Sequence, residues 1–148
     1  MEREILFRAK AINRDAESFR TNYKNGDWVY GLVTRLYDER FENLPAEMTN
    51  TSGVSCIEVD YKTVGQYTGL IDRNGVKIFE GDIVKVKTIS GSFINYVITW
   101  FNSDLCWVMQ SLKDTSVIFR LQSCWKFEVV GNIHDNPEML KGEDLKNG

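Results

Sequence analysis

A chain of 148 residues is long enough to bury a hydrophobic core, and 43% hydrophobic with 26% charged residues is the balance of a globular protein rather than a disordered one. The formal net charge of −3 excludes a chain that coats a polyanion over its whole surface, so any nucleic-acid contact has to be a local basic face. Aromatic residues make up 12% of the chain against only two prolines, which favours many short strands.

In chain order, Ile5-Leu6-Phe7 followed by Ala9 and Ala11 reads as a strand entering the fold. Lys24-Asn25-Gly26-Asp27 is a turn signal, and the strand after it, from Trp28 to Leu36, is interrupted by Gly31. Between residues 38 and 53 the periodicity is lost; Pro45, Asn50 and a Thr-Asn-Thr-Ser-Gly cluster predict a long polar loop. Cys56-Ile57-Glu58-Val59-Asp60-Tyr61 alternates as a further strand.

Residues 63–86 are the most informative stretch. Asn74-Gly75 lies between two β-rich runs and predicts a type I′ hairpin, because both residues tolerate positive φ. Gly81-Asp82 separates Val76-Lys77-Ile78-Phe79-Glu80 from Ile83-Val84-Lys85-Val86-Lys87, the pattern of a bulge or corner. Sharp glycine corners between short strands are how small antiparallel barrels close.

Further on, Ile94, Tyr96, Ile98 and Trp100 alternate with Asn95 and Thr99, a period of two with one face for burial. Asn102-Ser103-Asp104 predicts a turn, followed by strands at 105–109, at 117–121 and at 125–129, where Trp125, Phe127 and Val129 alternate with Lys126 and Glu128. Asp135-Asn136-Pro137-Glu138 is a helix-start signal for a single turn, and residues 141–148 are expected to fray.

Three phrases in residues 63–86 resemble the YopX-like family, which is widespread among phages and prophages. They are Gly65-Gln66-Tyr67-Thr68-Gly69-Leu70, the Arg73-Asn74-Gly75 turn and Glu80-Gly81-Asp82-Ile83-Val84. Bracketing phrases at 26–31 and 130–140 extend the likeness over nearly the whole chain. The resemblance implies an SH3-type barrel with a tendency to self-associate, and no established activity. The expected organisation is all-β: N-terminal strands, arm and polar loop over 1–62, the SH3-like barrel over 63–140, and the tail.

Candidate chemistry is sparse. Glu80 and Asp82 flank Gly81, but Asp82 is expected to bond the backbone of its own corner rather than pair for catalysis. His134-Asp135 suggests a cap sooner than a general base, since neighbours on a strand end point apart. Cys56, Cys106 and Cys124 lack Cys-x-x-Cys spacing and are odd in number, and with no secretory apolar segment they predict a reducing cytoplasm. No catalytic residue, metal site or cofactor motif is expected, and no run of about 18 apolar residues predicts a membrane span.

Interaction residues are the remaining candidates. Gln66 and Tyr67, between two glycines, offer polar tips where a partner approaches closely, and Trp28 and Tyr30 are their aromatic counterparts. Trp28, Tyr30, Trp100, Trp107 and Trp125 are weighed as a stacking platform for single strands, against the simpler reading as core or interface aromatics. Arg73, Lys77, Lys85 and Lys87 form a modest basic set that Asp72, Glu80 and Asp82 nearly cancel. The expected function is a non-enzymatic, self-associating binding or assembly module with an unidentified protein partner. The alternative is a nucleic-acid-binding accessory factor that uses the barrel as its platform.

Overall fold

The computed structural model describes residues 3–13, 22–36, 45–123 and 125–140. It is built almost wholly of antiparallel strands and divides into two compact units, Met1–Tyr67 and Thr68–Gly148.

The first unit contains β1 (Phe7–Lys10), β2 (Trp28–Arg35), β3 (Ala46–Asn50), β4 (Ile57–Val59) and the start of β5 (Gly65–Ile71), in the order β4-β3-β2-β1-β5. Alternation decides which face is buried. Ala9, Val29, Ala46, Met48, Ile57 and Val59 point to one side and form the core, while Lys10, Trp28, Tyr30 and Glu58 point to the other. A Cβ at Gly31 would overlap the Thr49 carbonyl of β3 and stand 2.8 Å from the Asn50 Cα. The glycine that interrupts the β2 pattern is therefore a packing requirement.

The turns of this unit are held by short polar side chains. Asp27 Oδ2 accepts from the Lys24 N–H at 2.8 Å, which closes the predicted turn before β2. Asn50 Oδ1 accepts from the Ser52 and Val54 N–H groups at 3.0 and 2.9 Å, with Gly53 at φ +87°. The expected polar loop over 38–53 is thus corrected in its second half. Ala46–Asn50 is a strand and 50–54 a tight turn, because Ala46 and Met48 alternate inward beneath a polar composition; residues 37–44 lie outside the described residues. After β4, Asp60 caps a 3₁₀ turn, Tyr61–Thr63, in which the Thr63 hydroxyl donates to the Asp60 carbonyl and accepts from the Lys10 N–H.

The change of unit falls inside β5, whose first residues pair with β1 and whose later residues lie beside β6 (Lys77–Phe79). The second unit continues with β7 (Asp82–Lys87), β8 (Phe93–Phe101), β9 (Cys106–Ser111), β10 (Ile118–Arg120) and β11 (Phe127–Asn132). They form a five-stranded sheet in the order β10-β9-β8-β7-β11. Ile78, Val84, Val86, Tyr96, Ile98, Met109 and Phe127 make its core, as the alternation over β8 and β11 predicts.

Closure into a barrel is not observed. β11 pairs with β7, and β10, three residues long and exposed throughout, pairs with β9, so the sheet ends at β10 and β11. Both corners of the signature stretch are built as polar side-chain turns. Gly81 has φ +89°, and the buried Asp82 carboxylate accepts from the Phe79 N–H at 2.7 Å, as its place in the corner predicts. The Asn74-Gly75 turn is not type I′, since only Gly75 has positive φ. Asp72 holds it instead, accepting from the Asn74 and Val76 N–H groups at 2.8 and 2.9 Å.

The chain closes through Asn132, whose side-chain oxygen accepts from the His134 and Asp135 N–H groups and whose amide donates to Asp135. A single helical turn over residues 138–140 follows Pro137, as expected; residues 141–148, predicted to fray, lie outside the described residues.

Candidate nucleic-acid interface

On β7, Val84 and Val86 face the core, so Lys85 and Lys87 stand on the opposite face of the sheet. Antiparallel register brings partners to them: Phe93 of β8 lies opposite Lys87, and Asn95 of β8 and Glu128 of β11 lie opposite Lys85. Lys126 stands just before β11. The Arg73 N–H donates to the Phe127 carbonyl at 2.9 Å, which seats the 72–76 turn against the start of β11. Arg73, Lys85, Lys87, Phe93, Lys126 and Glu128 together line a cleft of about 580 Å³.

Four cations and one carboxylate therefore surround one cavity in a chain whose total charge is negative. Lys85 Nζ lies 3.4 Å from Glu128 Oε2 and 4.8 Å from the centroid of the Phe93 ring, so a carboxylate and an aromatic quadrupole both hold this ammonium. Phe93 is 55% exposed.

Of the three acidic residues expected to cancel the basic set, Asp72 and Asp82 are turned inward, while Glu80 is half-buried. Asp72 and Asp82 are 5% and 1% exposed, and each carboxylate is spent on backbone N–H groups. Asp72 also accepts from the Val129 N–H at 3.0 Å, joining the turn to β11. Burial raises its pKa, but hydrogen bonds from Val129, Val76 and Asn74, with the Arg73 charge, outweigh burial and hold it below the usual aspartate value.

The residues singled out from the sequence fall elsewhere. Trp28 is half-buried on β2, with the Arg8 guanidinium 4.5 Å and the Lys10 ammonium 5.4 Å from its ring centroid. Tyr30 follows two residues on along the same face and is 40% exposed. Gln66 lies opposite Phe7 and is half-buried, whereas Tyr67 is buried. Alternation explains the difference, since Gly65 and Tyr67 share the inward face of β5.

Three of the aromatics weighed as a stacking platform, Trp100, Trp107 and Trp125, belong to the second unit. Trp100 and Trp107 form an edge-to-face pair at 5.1 Å, and Trp125 packs with Phe119 and Phe127 against the core. The aromatic beside the cations is Phe93, which, with Lys126, sequence reasoning passed over. Its signal was present: a hairpin joining Lys87 to Phe93 across Thr88–Ser92 sets the two opposite each other. The His134 N–H donates to the Asn132 side-chain oxygen. Among the described residues no three His, Cys, Asp or Glu side chains cluster to hold a metal, and no helix is long and apolar enough to cross a membrane.

No curated protein matches the chain. Among solved structures, protein EF1440 from Enterococcus faecalis is similar at 23% identity and a TM-score of 0.48, covering 94% of this chain and 99% of that one. The family model described as YopX protein matches residues 10–141, nearly the whole length, as the signature phrases led one to expect. The chain belongs to the YopX family.

Proposed function

We propose that this protein is a phage- or prophage-encoded, non-enzymatic binding protein of the bacterial cytoplasm whose second unit holds nucleic acid in the cleft between Arg73, Lys87 and Lys126. The observation that carries this reading is the gathering of four cationic side chains and an exposed aromatic ring around one cavity. Phosphate contacts supply most of the affinity in such sites, and exposed aromatics add base stacking. The acidic remainder of the molecule confines polyanions to this face. In this reading the sheet serves as an SH3-type platform, and the phage origin rests on the family resemblance.

The test is binding of a labelled oligonucleotide at low salt by the protein and by a Lys87→Ala/Lys126→Ala variant. Both side chains are exposed, so the variant is expected to fold, and its affinity is expected to fall by about tenfold or more. Equal binding by the two proteins, or none by either, overturns the reading.

Self-association is a second reading, favoured by β10. This sheet-edge strand carries Ile118 and Phe119 at 37% and 42% exposure, and such an edge invites pairing with a second copy. Light scattering after size-exclusion chromatography decides it: a monomer at micromolar concentration removes the reading.

A further inference from the structure

We infer that the cleft takes single-stranded rather than duplex nucleic acid, with a base stacked on Phe93 and the strand's phosphates on Arg73, Lys87 and Lys126. This inference rests on the nucleic-acid reading of the same site. Base faces in a duplex are stacked on one another and hidden, so an aromatic ring set among cations has nothing to stack on unless the strand is open. Phe93 is such a ring: more than half exposed, opposite Lys87 in register and within cation–π distance of Lys85.

The shape of the site agrees. Proteins that read a duplex insert a projecting helix or two-stranded ribbon into its groove. Here the cations line a concavity of about 580 Å³, within the range of roughly 300–1,000 Å³ typical of pockets that enclose a small ligand. Of the two ribbons near it, the β5–β6 hairpin has Arg73 of its turn in the cleft lining, and the β7–β8 hairpin has a tip without a cation. Its Thr88, Ser90 and Ser92 hydroxyls bond to one another at 2.8 to 3.2 Å, and Ile89 stands fully exposed. Such a tip has no charge to set against duplex phosphates.

The experiment is fluorescence anisotropy with oligothymidylate and oligouridylate of about 15 nucleotides and a duplex of equal length, with inorganic polyphosphate as a competitor that carries phosphate but no bases. Binding of either single strand at least about tenfold more tightly than the duplex is expected. Phe93→Ala should lower single-strand affinity about tenfold and leave polyphosphate competition unchanged, and Phe93→Trp should restore it. Equal affinity for single strand and duplex, or full single-strand binding by Phe93→Ala, overturns the inference while leaving a phosphate-binding cleft in place. No binding of any polynucleotide overturns the nucleic-acid reading along with it.

Discussion

Lys85 and Glu128 face each other across β7 and β11, with Nζ 3.4 Å from Oε2 and each side chain 34% exposed. The pair restrains one of the cleft's four cations and places a negative charge in the path of a phosphate. Exposed pairs of this kind contribute about 0–1 kcal/mol to stability, so their effect on the electrostatics of the cleft is the larger one.

Replacing Glu128 by Gln should therefore raise oligonucleotide affinity several-fold at low salt, with a stability change within about 1 kcal/mol. Anisotropy titration and urea unfolding read the two effects separately. Weaker binding by Glu128→Gln, with the fold intact, would show that the carboxylate helps the ligand rather than opposing it.

Asp72 should dominate the acid sensitivity of the second unit. Its carboxylate is buried and receives three backbone N–H groups, including that of Val129, 57 residues away. Its pKa is lower in the folded state than in the unfolded chain, so its contribution is fully present above the usual aspartate range. That contribution is lost as pH falls from there through the folded value. Asp72→Ala should cost about 3 kcal/mol at neutral pH, because the three donors lose their acceptor. Urea midpoints between neutral pH and about pH 3 check both points: the loss on acidification should be smaller in the variant than in the parent.

Gly31→Ala should destabilise the first unit by about 3 kcal/mol or more, because the new Cβ meets the Thr49 carbonyl, a backbone group that can move only with its strand. Gly26→Ala makes the control: no atom lies within 4 Å of its Cβ, and only the positive φ of 89° is strained. Thermal unfolding of the two variants should rank Gly31→Ala as clearly the less stable.

The contrast between Gly31 and Asp72 shows what was legible in the sequence. Strands such as β8 and the start of β11 were readable because their core-face residues, Ile94, Tyr96 and Ile98 in one and Phe127 and Val129 in the other, recur at a period of two. β3 was hidden by composition: Thr49 and Asn50 look like loop residues, while Ala46 and Met48 do the packing. The corner glycines were readable from their place between strands, but the carboxylate that holds the 72–76 turn was not. Its decisive partner, Val129, is brought to it only by the tertiary fold.

The cleft was half legible for the same reason. Arg73, Lys85 and Lys87 are near neighbours in sequence, whereas Lys126, Glu128 and Phe93 join them through the pairing of β11 and β8 with β7. Of the three acidic residues set against them, Asp72 and Asp82 turn their carboxylates inward onto backbone N–H groups, while Glu80 is half-buried.

The most direct measurement of the central claim is the salt dependence of oligonucleotide affinity. With four lining cations, one of them held by Glu128, about three charges are available for phosphate. The logarithm of the binding constant should then fall against the logarithm of salt concentration with a slope of about −2 for a single strand. Lys87→Ala should make that slope shallower by about 0.7. A slope near zero, or one unchanged by Lys87→Ala, would contradict a phosphate-binding role for this cleft.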